Sequence, residues 1–301
     1  EAPDIGWNIV GRVIQGDGAI SAAVTALAAD LTREEHRTKV MAMIGSSIGL
    51  VFALSLVGAP VLYGWIGMAG LFVMTGVLAL SAIALLFVAV PEPPPVAGHE
   101  KLPFGRVLFD AGLLRLNFGI FSLHMMQMAM FVVIPHALVG AGGLPAAEHW
   151  KVYLPAVLVS FVVMVPAIIS AERGGKMRPV FCGAVALLVA VQLGFRFFGD
   201  GLWGLGVWLL AFFVAFNILE ASLPSLVSRT APPTAKGAAL GVYNTTQALG
   251  LFAGGAAGGF LAQRFGDNAV FVACTGVGLA WLGVAASMKF PPRRRPAAAH
   301  I

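Results

Sequence analysis

The sequence has few charged residues, and this scarcity excludes most classes of soluble protein. Only 11% of its 301 residues are Asp, Glu, Lys or Arg, whereas 58% are apolar. A soluble domain carries roughly 25% charged residues, so a chain with this composition would aggregate in water. The composition therefore favours a membrane protein.

Cysteines are scarce, and several catalytic motifs are missing. Cys182 and Cys274 both fall in apolar segments, where a thiol behaves as a small apolar side chain, so no disulfide framework is indicated. The run Gly174-Gly175-Lys176 lacks the following Ser or Thr of a phosphate-binding loop, which argues against an ATP-driven pump. The sequence has no paired histidines or acids on one helical stripe, so we predict no metal, no cofactor and no enzyme activity.

Long apolar segments dominate what is present. A bilayer core about 30 Å thick needs roughly 20 helical residues to cross it, and the chain has nine segments of this kind, separated by charged residues, Pro or Gly. The predicted spans are 5–29, 38–62, 66–90, 113–139, 150–171, 177–198, 203–228, 237–263 and 268–289. The sequence therefore predicts an all-α polytopic membrane protein.

The basic residues indicate the orientation, because cytoplasmic loops carry an excess of Lys and Arg. Alternate gaps and the tail hold Arg33, Arg37, Lys39, Lys101, Arg106, Arg115, Arg173, Lys176, Arg178, Arg229, Lys236, Lys289 and Arg293 to Arg295. The other gaps hold only Lys151, Arg196 and Arg264. We therefore predict a cytoplasmic C-terminus. The net charge of +5 does not require nucleic acid as an explanation, because anionic lipid at the inner membrane surface is the expected partner of these basic residues.

A repeat at an offset of about 200 residues indicates two related halves. The pattern Gly49-Leu50, Gly58 and Thr75-Gly76 recurs as Gly250-Leu251, Gly259 and Thr275-Gly276. Two parallel six-helix halves would explain it, and three helices would then be absent from the front. The first residue is Glu1, and the segment 1–6 has no features of a signal peptide, so we expect a piece of a longer protein.

The domain organisation follows from these halves. We predict that residues 1–90 form the C-terminal three helices of the N-terminal bundle and that residues 113–290 form a six-helix C-terminal bundle. The polar, proline-rich segment 91–112 has the composition of a cytoplasmic connector. Residues 291–301 are predicted to be a basic cytoplasmic tail.

Several motifs resemble a known transporter family. The segment Gly11-Arg12-Val-Ile-Gln15-Gly16-Asp17-Gly18-Ala19 resembles the fourth-helix signature of the major facilitator superfamily, and the segment 49–60 resembles its fifth-helix antiporter signature. The segments 30–34, 145–153 and 213–226 are similar to the YajR-like branch of bacterial drug-efflux proton antiporters. The resemblance covers helices four to twelve of that family.

This resemblance implies a major facilitator fold with nine of twelve transmembrane helices present. It implies a secondary active transporter of the bacterial inner membrane that exports small amphipathic or drug-like molecules in exchange for protons. It also implies a conformational lock at Asp30, Gly58 and Pro60, because these positions match the inner end of the fourth helix and the fifth-helix signature. We expect a monomer surrounded by membrane lipid.

Charged side chains inside the spans are the candidates for proton coupling. A charge at mid-membrane costs about 3 kcal/mol to insert, so it needs a partner, a cavity or water. Arg12 shares a helical stripe with Gln15, and its permanent positive charge can promote proton release from a nearby carboxyl group. Asp17 lies about 140° around the helix from Arg12, so its partner would be on another helix. A static ion pair for Arg12 and a structural hydrogen bond for Asp17 are the alternatives.

Glu220 is the predicted proton carrier, because an acid in a partly dry cavity can take up and release a proton. It shares a stripe with Asn217, and a static hydrogen bond to Asn217 is the alternative. Other polar side chains on the spans are predicted to line a substrate cavity or, alternatively, to form interhelical hydrogen bonds worth around 1 kcal/mol. The predicted cavity residues are Gln15, Asn117, His124, Gln127, Asn217, Tyr243, Asn244 and Gln247.

Two alternatives to drug efflux remain at this stage. Proton-linked uptake or sugar efflux would use the same fold, since buried charges do not fix the direction of transport. A non-transporting membrane scaffold is an alternative of another class, although a scaffold would have no need of costly charges at mid-membrane.

Overall fold

The computed structural model describes residues 24, 27, 31, 34–91, 104–172 and 174–290. Regular secondary structure in this part of the chain is entirely helical, which confirms the all-α prediction. The chain divides into two compact units, Glu1–His99 and Glu100–Ile301. Four predicted site residues, Arg12, Gln15, Asp17 and Asp30, lie outside the described residues, as does nearly all of the predicted span 5–29.

The described part of the first unit is one long helical stretch, α1 (Glu34–Ala89). It covers the predicted spans 38–62 and 66–90. The predicted gap at 63–65 is helical, and the break lies instead at Gly67, where φ is 68° and ψ is −176°. Only a residue without a Cβ adopts these angles readily, and the chain has a glycine at this position. Gly58 and Pro60 both lie inside α1, and their role as a lock stays a prediction.

The described part of the second unit contains seven α-helices joined by short turns. They are α2 (Phe104–Leu108), α3 (Ala111–Gly140), α4 (Trp150–Glu172), α5 (Met177–Phe198), α6 (Gly201–Thr230), α7 (Lys236–Phe265) and α8 (Asp267–Ala286). Helix α2 lies inside the predicted connector 91–112. Helix α3 begins at Ala111 because the Asp110 carboxylate accepts a hydrogen bond from the Leu113 N–H at 2.9 Å.

Six described segments are long and apolar enough to cross a membrane. They are Val57–Ala89, Ala111–Gly140, Ala146–Ala171, Met177–Phe198, Gly201–Thr230 and Asp267–Ala286. Helix α7 corresponds to the predicted span 237–263 and, at 30 residues, is long enough, but it is missing from this set. Its many Gly, Thr, Asn and Gln residues lower its hydropathy, because the helix is adapted to contact other helices rather than lipid.

Helices α3 and α7 approach so closely that their backbones touch. A Cβ added at Gly250 would lie 2.5 Å from the Phe121 carbonyl oxygen, and one added at Gly254 would overlap the Met125 carbonyl oxygen. One turn further on, Gly258 faces Ala129 in the same way. The glycines of α7 thus replace side-chain packing by direct backbone contact along about two helical turns.

The two units share a backbone feature at the offset of the sequence repeat. Gly67 in the first unit has φ 68° and ψ −176°, and Gly266, between α7 and α8, has φ 81° and ψ 166°. Both residues separate a long helix from the apolar helix that follows it. The recurrence of this rare conformation at equivalent positions supports the interpretation of the sequence as two related halves.

The α3–α7 contact yields a test of stability. Substitution Gly254→Ala should lower the free energy of unfolding by about 1–3 kcal/mol, because the new methyl group must push the two backbones apart. The matched control is Gly259→Ala on the same helix, where an added Cβ meets no described atom within 4 Å. Thermal denaturation in detergent measures both variants. Equal stability of the two would contradict the close backbone contact.

Candidate functional site

Three helices of the second unit bring a histidine, a glutamate and a glutamine together. The Nε2 atom of His124 on α3 lies 2.7 Å from the Gln247 Nε2 on α7 and 3.8 Å from the Glu220 Oε2 on α6. The His124 side chain is 6% exposed and the Glu220 side chain 36% exposed. The imidazole is therefore held inside the bundle while the carboxyl group is partly open to the surroundings.

The contacts of His124 define its protonation state in this arrangement. With the Gln247 amide in this orientation, its nitrogen donates to the His124 Nε2, which then carries no proton. The remaining ring proton lies on Nδ1, which faces the Ile120 carbonyl oxygen at 3.3 Å. The Phe216 ring meets the imidazole edge to face at 5.5 Å. In this orientation His124 is a neutral ring. The lone pair on its Nε2 accepts the hydrogen bond from Gln247, and the Glu220 carboxyl group lies on the same side.

Among the described residues, Glu220 makes no hydrogen bond that would explain its place in the bundle, and its nearest charged or titratable contact is His124 at 3.8 Å. Its Oε2 atom is buried and accepts no hydrogen bond from the described residues. The proposed alternative of a hydrogen bond to Asn217 is wrong, because the Asn217 amide donates to the Ser160 hydroxyl at 2.8 Å. That hydroxyl in turn donates to the Val157 carbonyl oxygen at 2.6 Å. The carboxyl group therefore remains available for a proton or a ligand.

Two further predicted cavity residues present unsatisfied polar atoms. Tyr243 lies one turn before Gln247 on α7 and is only 3% exposed. Its hydroxyl and the Asn117 Oδ1 on α3 have no hydrogen-bond partner among the described residues. Because an unpaired polar atom in an apolar medium is costly, such atoms mark places where water or a ligand binds.

The structure thus brings only part of the predicted set together. His124, Glu220, Gln247 and Tyr243 form one cluster, whereas Asn217 is engaged with Ser160. Gln127 and Asn244 are half-buried on α3 and α7, close in sequence to this cluster. Within the described residues, no group of three or more His, Cys, Asp or Glu side chains could hold a metal ion.

Two polar residues that form side-chain hydrogen bonds between helices, Ser160 and Gln192, were not predicted from the sequence. Ser160 positions Asn217, and Gln192 on α5, fully buried, donates from its Nε2 to the Met130 sulfur at 2.9 Å. Each is an isolated polar residue within an apolar span. A polar residue in such a position is expected to hydrogen-bond to another helix, so both could have been identified from the sequence. Ser160 has no polar neighbour three or four residues away, and Gln192 has only Arg196 near the helix end, so neither residue belongs to a polar stripe within its span.

Comparison with known proteins gives a consistent result. The sequence profile described as Major Facilitator Superfamily matches residues 2–255. The chain is 45% identical to "Inner membrane transport protein YajR" of Escherichia coli over 95% of this chain and 64% of that protein. It is 24% identical to "Multidrug resistance protein MdtH" of Aeromonas hydrophila over 78% of this chain and 59% of that protein.

A shorter match links the chain to a third relative. "Multidrug resistance protein B homolog" of Mycobacterium tuberculosis is 29% identical over 40% of this chain and 23% of its own length. The chain spans less than two thirds of each of these relatives. The family match covers most of the chain and agrees with the apolar helices of both units. The chain belongs to the Major Facilitator Superfamily.

Proposed function

We propose that the protein is a secondary active transporter that exports small amphipathic or drug-like molecules in exchange for protons. The observation that carries this proposal is the Glu220 carboxyl group, whose buried Oε2 accepts no hydrogen bond from the described residues and lies 3.8 Å from the His124 Nε2. A group that can bind one proton and has no structural partner is suited to carry that proton. Arg12 and Asp17 complete the proposed proton-coupling set.

The arrangement gives the proton two alternative positions. On the Glu220 carboxyl group it leaves both side chains neutral, with Gln247 donating to His124. On the His124 Nε2 it creates an ion pair with Glu220, and the Gln247 amide must then turn to present its oxygen. Both arrangements use the same three side chains, so the exchange needs rotation of the amide and small shifts rather than refolding.

Competition for the Glu220 carboxylate would couple the proton to its cargo. A cationic substrate is attracted to the ionised carboxylate, whereas a proton on the same carboxylate removes that attraction. Aromatic rings next to the cluster suit the apolar part of such a substrate. Phe216 contacts His124, and Phe212 lies 5.7 Å from Phe216. Two of the relatives are named multidrug resistance proteins, which supports this substrate class.

The remaining assignments belong to the same proposal. We place the protein in the bacterial inner membrane as a monomer with a cytoplasmic C-terminus, and we assign residues 1–90 and 113–290 to two bundles joined by the connector 91–112. The lock formed by Asp30, Gly58 and Pro60 would control the alternation of access. No enzyme activity is proposed, and proton-linked uptake remains the second candidate in the same fold.

Removal of the titratable group tests the proposal. Substitution Glu220→Gln keeps the shape of the side chain but abolishes proton binding, so we expect at least a tenfold loss of substrate-driven proton movement. The measurement is collapse of a pH gradient in inverted vesicles that contain the full-length protein, challenged with cationic and neutral amphipathic compounds. The control is Asp200→Asn, which removes an exposed carboxylate directly before the first residue of α6 and should retain full activity.

Two results would count against proton-coupled export. If Glu220→Gln still moves protons when a substrate is added, Glu220 is not the carrier. If no compound moves protons through the folded and inserted wild type, the exchange reaction itself is wrong, and proton-linked uptake becomes the better hypothesis.

The unpaired hydroxyl of Tyr243 leads to a second functional test. If it binds substrate, Tyr243→Phe should raise KM about three- to tenfold, which corresponds to loss of one hydrogen bond, and should leave thermal stability unchanged. The matched control is Tyr153→Phe, since the Tyr153 hydroxyl is also buried without a partner among the described residues but belongs to α4. An unchanged KM in Tyr243→Phe would remove this residue from the substrate cavity.

A further inference from the structure

An apolar groove with a volume of about 350 Å³ lies between α4 and α6. It is lined by Val152, Pro155 and Val159 on α4 and by Trp203, Gly206 and Val207 on α6. Gly206 keeps the groove open, because the nearest atom to an added Cβ is a Val152 methyl carbon at 3.8 Å. Trp203 is 89% exposed beside the groove, as is typical of tryptophans at a membrane interface.

Opposite charges stand at one end of this groove. Lys151, the first groove residue of α4, forms an ion pair of 2.8 Å with Glu148, and these side chains are 49% and 43% exposed. An ion pair with this much exposure contributes little to stability, so a ligand can exchange partners with it at small cost. The site therefore combines a long apolar surface with one available ammonium group and one available carboxylate.

From this combination we infer that the groove binds one acyl chain of a phospholipid with a primary-amine head group, phosphatidylethanolamine, whose phosphate contacts Lys151 and whose ammonium contacts Glu148. Phosphate and ammonium are joined by two carbons in this head group, and Lys151 and Glu148 are neighbours on adjacent turns. The charges thus match in sign and in number. The inference is independent of the proposed proton exchange, because it uses none of the residues of that site.

Other lipids match the site less well. Phosphatidylglycerol offers a phosphate for Lys151 but only hydroxyl groups for Glu148. Phosphatidylcholine carries a positive charge, but its methylated nitrogen has no N–H to donate to the carboxylate. The primary ammonium forms charge-assisted hydrogen bonds, which are the stronger kind. Selectivity among the three lipids therefore reports directly on the Glu148–Lys151 pair.

The experiment is lipid retention by the full-length protein. The protein is placed in nanodiscs with equal amounts of the three phospholipids, all with identical acyl chains, and retained lipids are counted by native mass spectrometry. We expect the wild type to retain one phosphatidylethanolamine at least threefold more often than either other lipid. In Glu148→Gln the preference should shift to phosphatidylglycerol, and Lys151→Gln should retain none of the three preferentially.

Two matched pairs separate the groove from general effects. Gly206→Leu fills the groove and should abolish retention, whereas Gly183→Leu adds the same side chain at an exposed position of α5 where an added Cβ meets no described atom within 4 Å. Arg196→Gln removes a basic residue near the end of α5 and should leave retention unchanged. Equal retention of all three lipids by the wild type, or an unaltered preference in Glu148→Gln or Gly206→Leu, would overturn the inference.

Discussion

The structure depends on one constraint, namely that polar groups within an apolar medium must find their partners inside the protein. The backbone meets it by forming helices, which satisfy nearly all N–H and C=O groups within each segment. Isolated polar side chains meet it at helix contacts, as Asn217 does with Ser160 and Gln192 with Met130. Several buried polar atoms find no hydrogen-bond partner among the described residues, and among them only the Glu220 Oε2, in the candidate site, belongs to an acidic side chain.

Close packing of α3 against α7 determines the geometry of that site. Gly250 lies one turn after Gln247, and the carbonyl oxygen it touches belongs to Phe121, one turn before His124. The backbone contact therefore sits next to the 2.7 Å contact between the two side chains. Even one methyl group between the helices would lengthen this hydrogen bond and weaken it steeply. The glycines of α7 thus serve the chemistry of the cluster as well as the packing of the bundle.

Much of the fold was predictable, because membrane spans are read from local hydropathy alone. Six described helices of the second unit, α3 to α8, fall on the six predicted spans, with short turns between them. The error occurred where the local sequence is ambiguous, because the break in α1 lies at Gly67 rather than at 63–65. Hydropathy does not record which of several nearby glycines the chain uses for a turn.

The site was predictable as a set of residues but not as a set of partners. Glu220, His124 and Gln247 were each identified either from the energetic cost of a charge inside the membrane or from a row of polar residues at helical spacing. They lie on three different helices, however, and spacing along one helix gives no information about contacts between helices. The same limitation explains why a static hydrogen bond between Glu220 and Asn217, given as the alternative to proton transfer, is not found in the structure. Helical spacing made that pair plausible, whereas the structure gives Asn217 a better partner in Ser160.

Helix α6 links the candidate site to the apolar groove near its other end. Gly206 and Glu220 are separated by about 21 Å along the helix axis. Between them, α6 contacts α4 through the Asn217–Ser160 hydrogen bond and through the Phe213 and Tyr153 rings. A lipid in the groove contacts both helices, so it would stabilise whichever arrangement of α4 and α6 leaves the groove open. If that arrangement differs between loaded and unloaded Glu220, linkage requires lipid binding and proton binding to change each other's affinity by the same factor. The sign of this coupling then depends on which state has the wider groove.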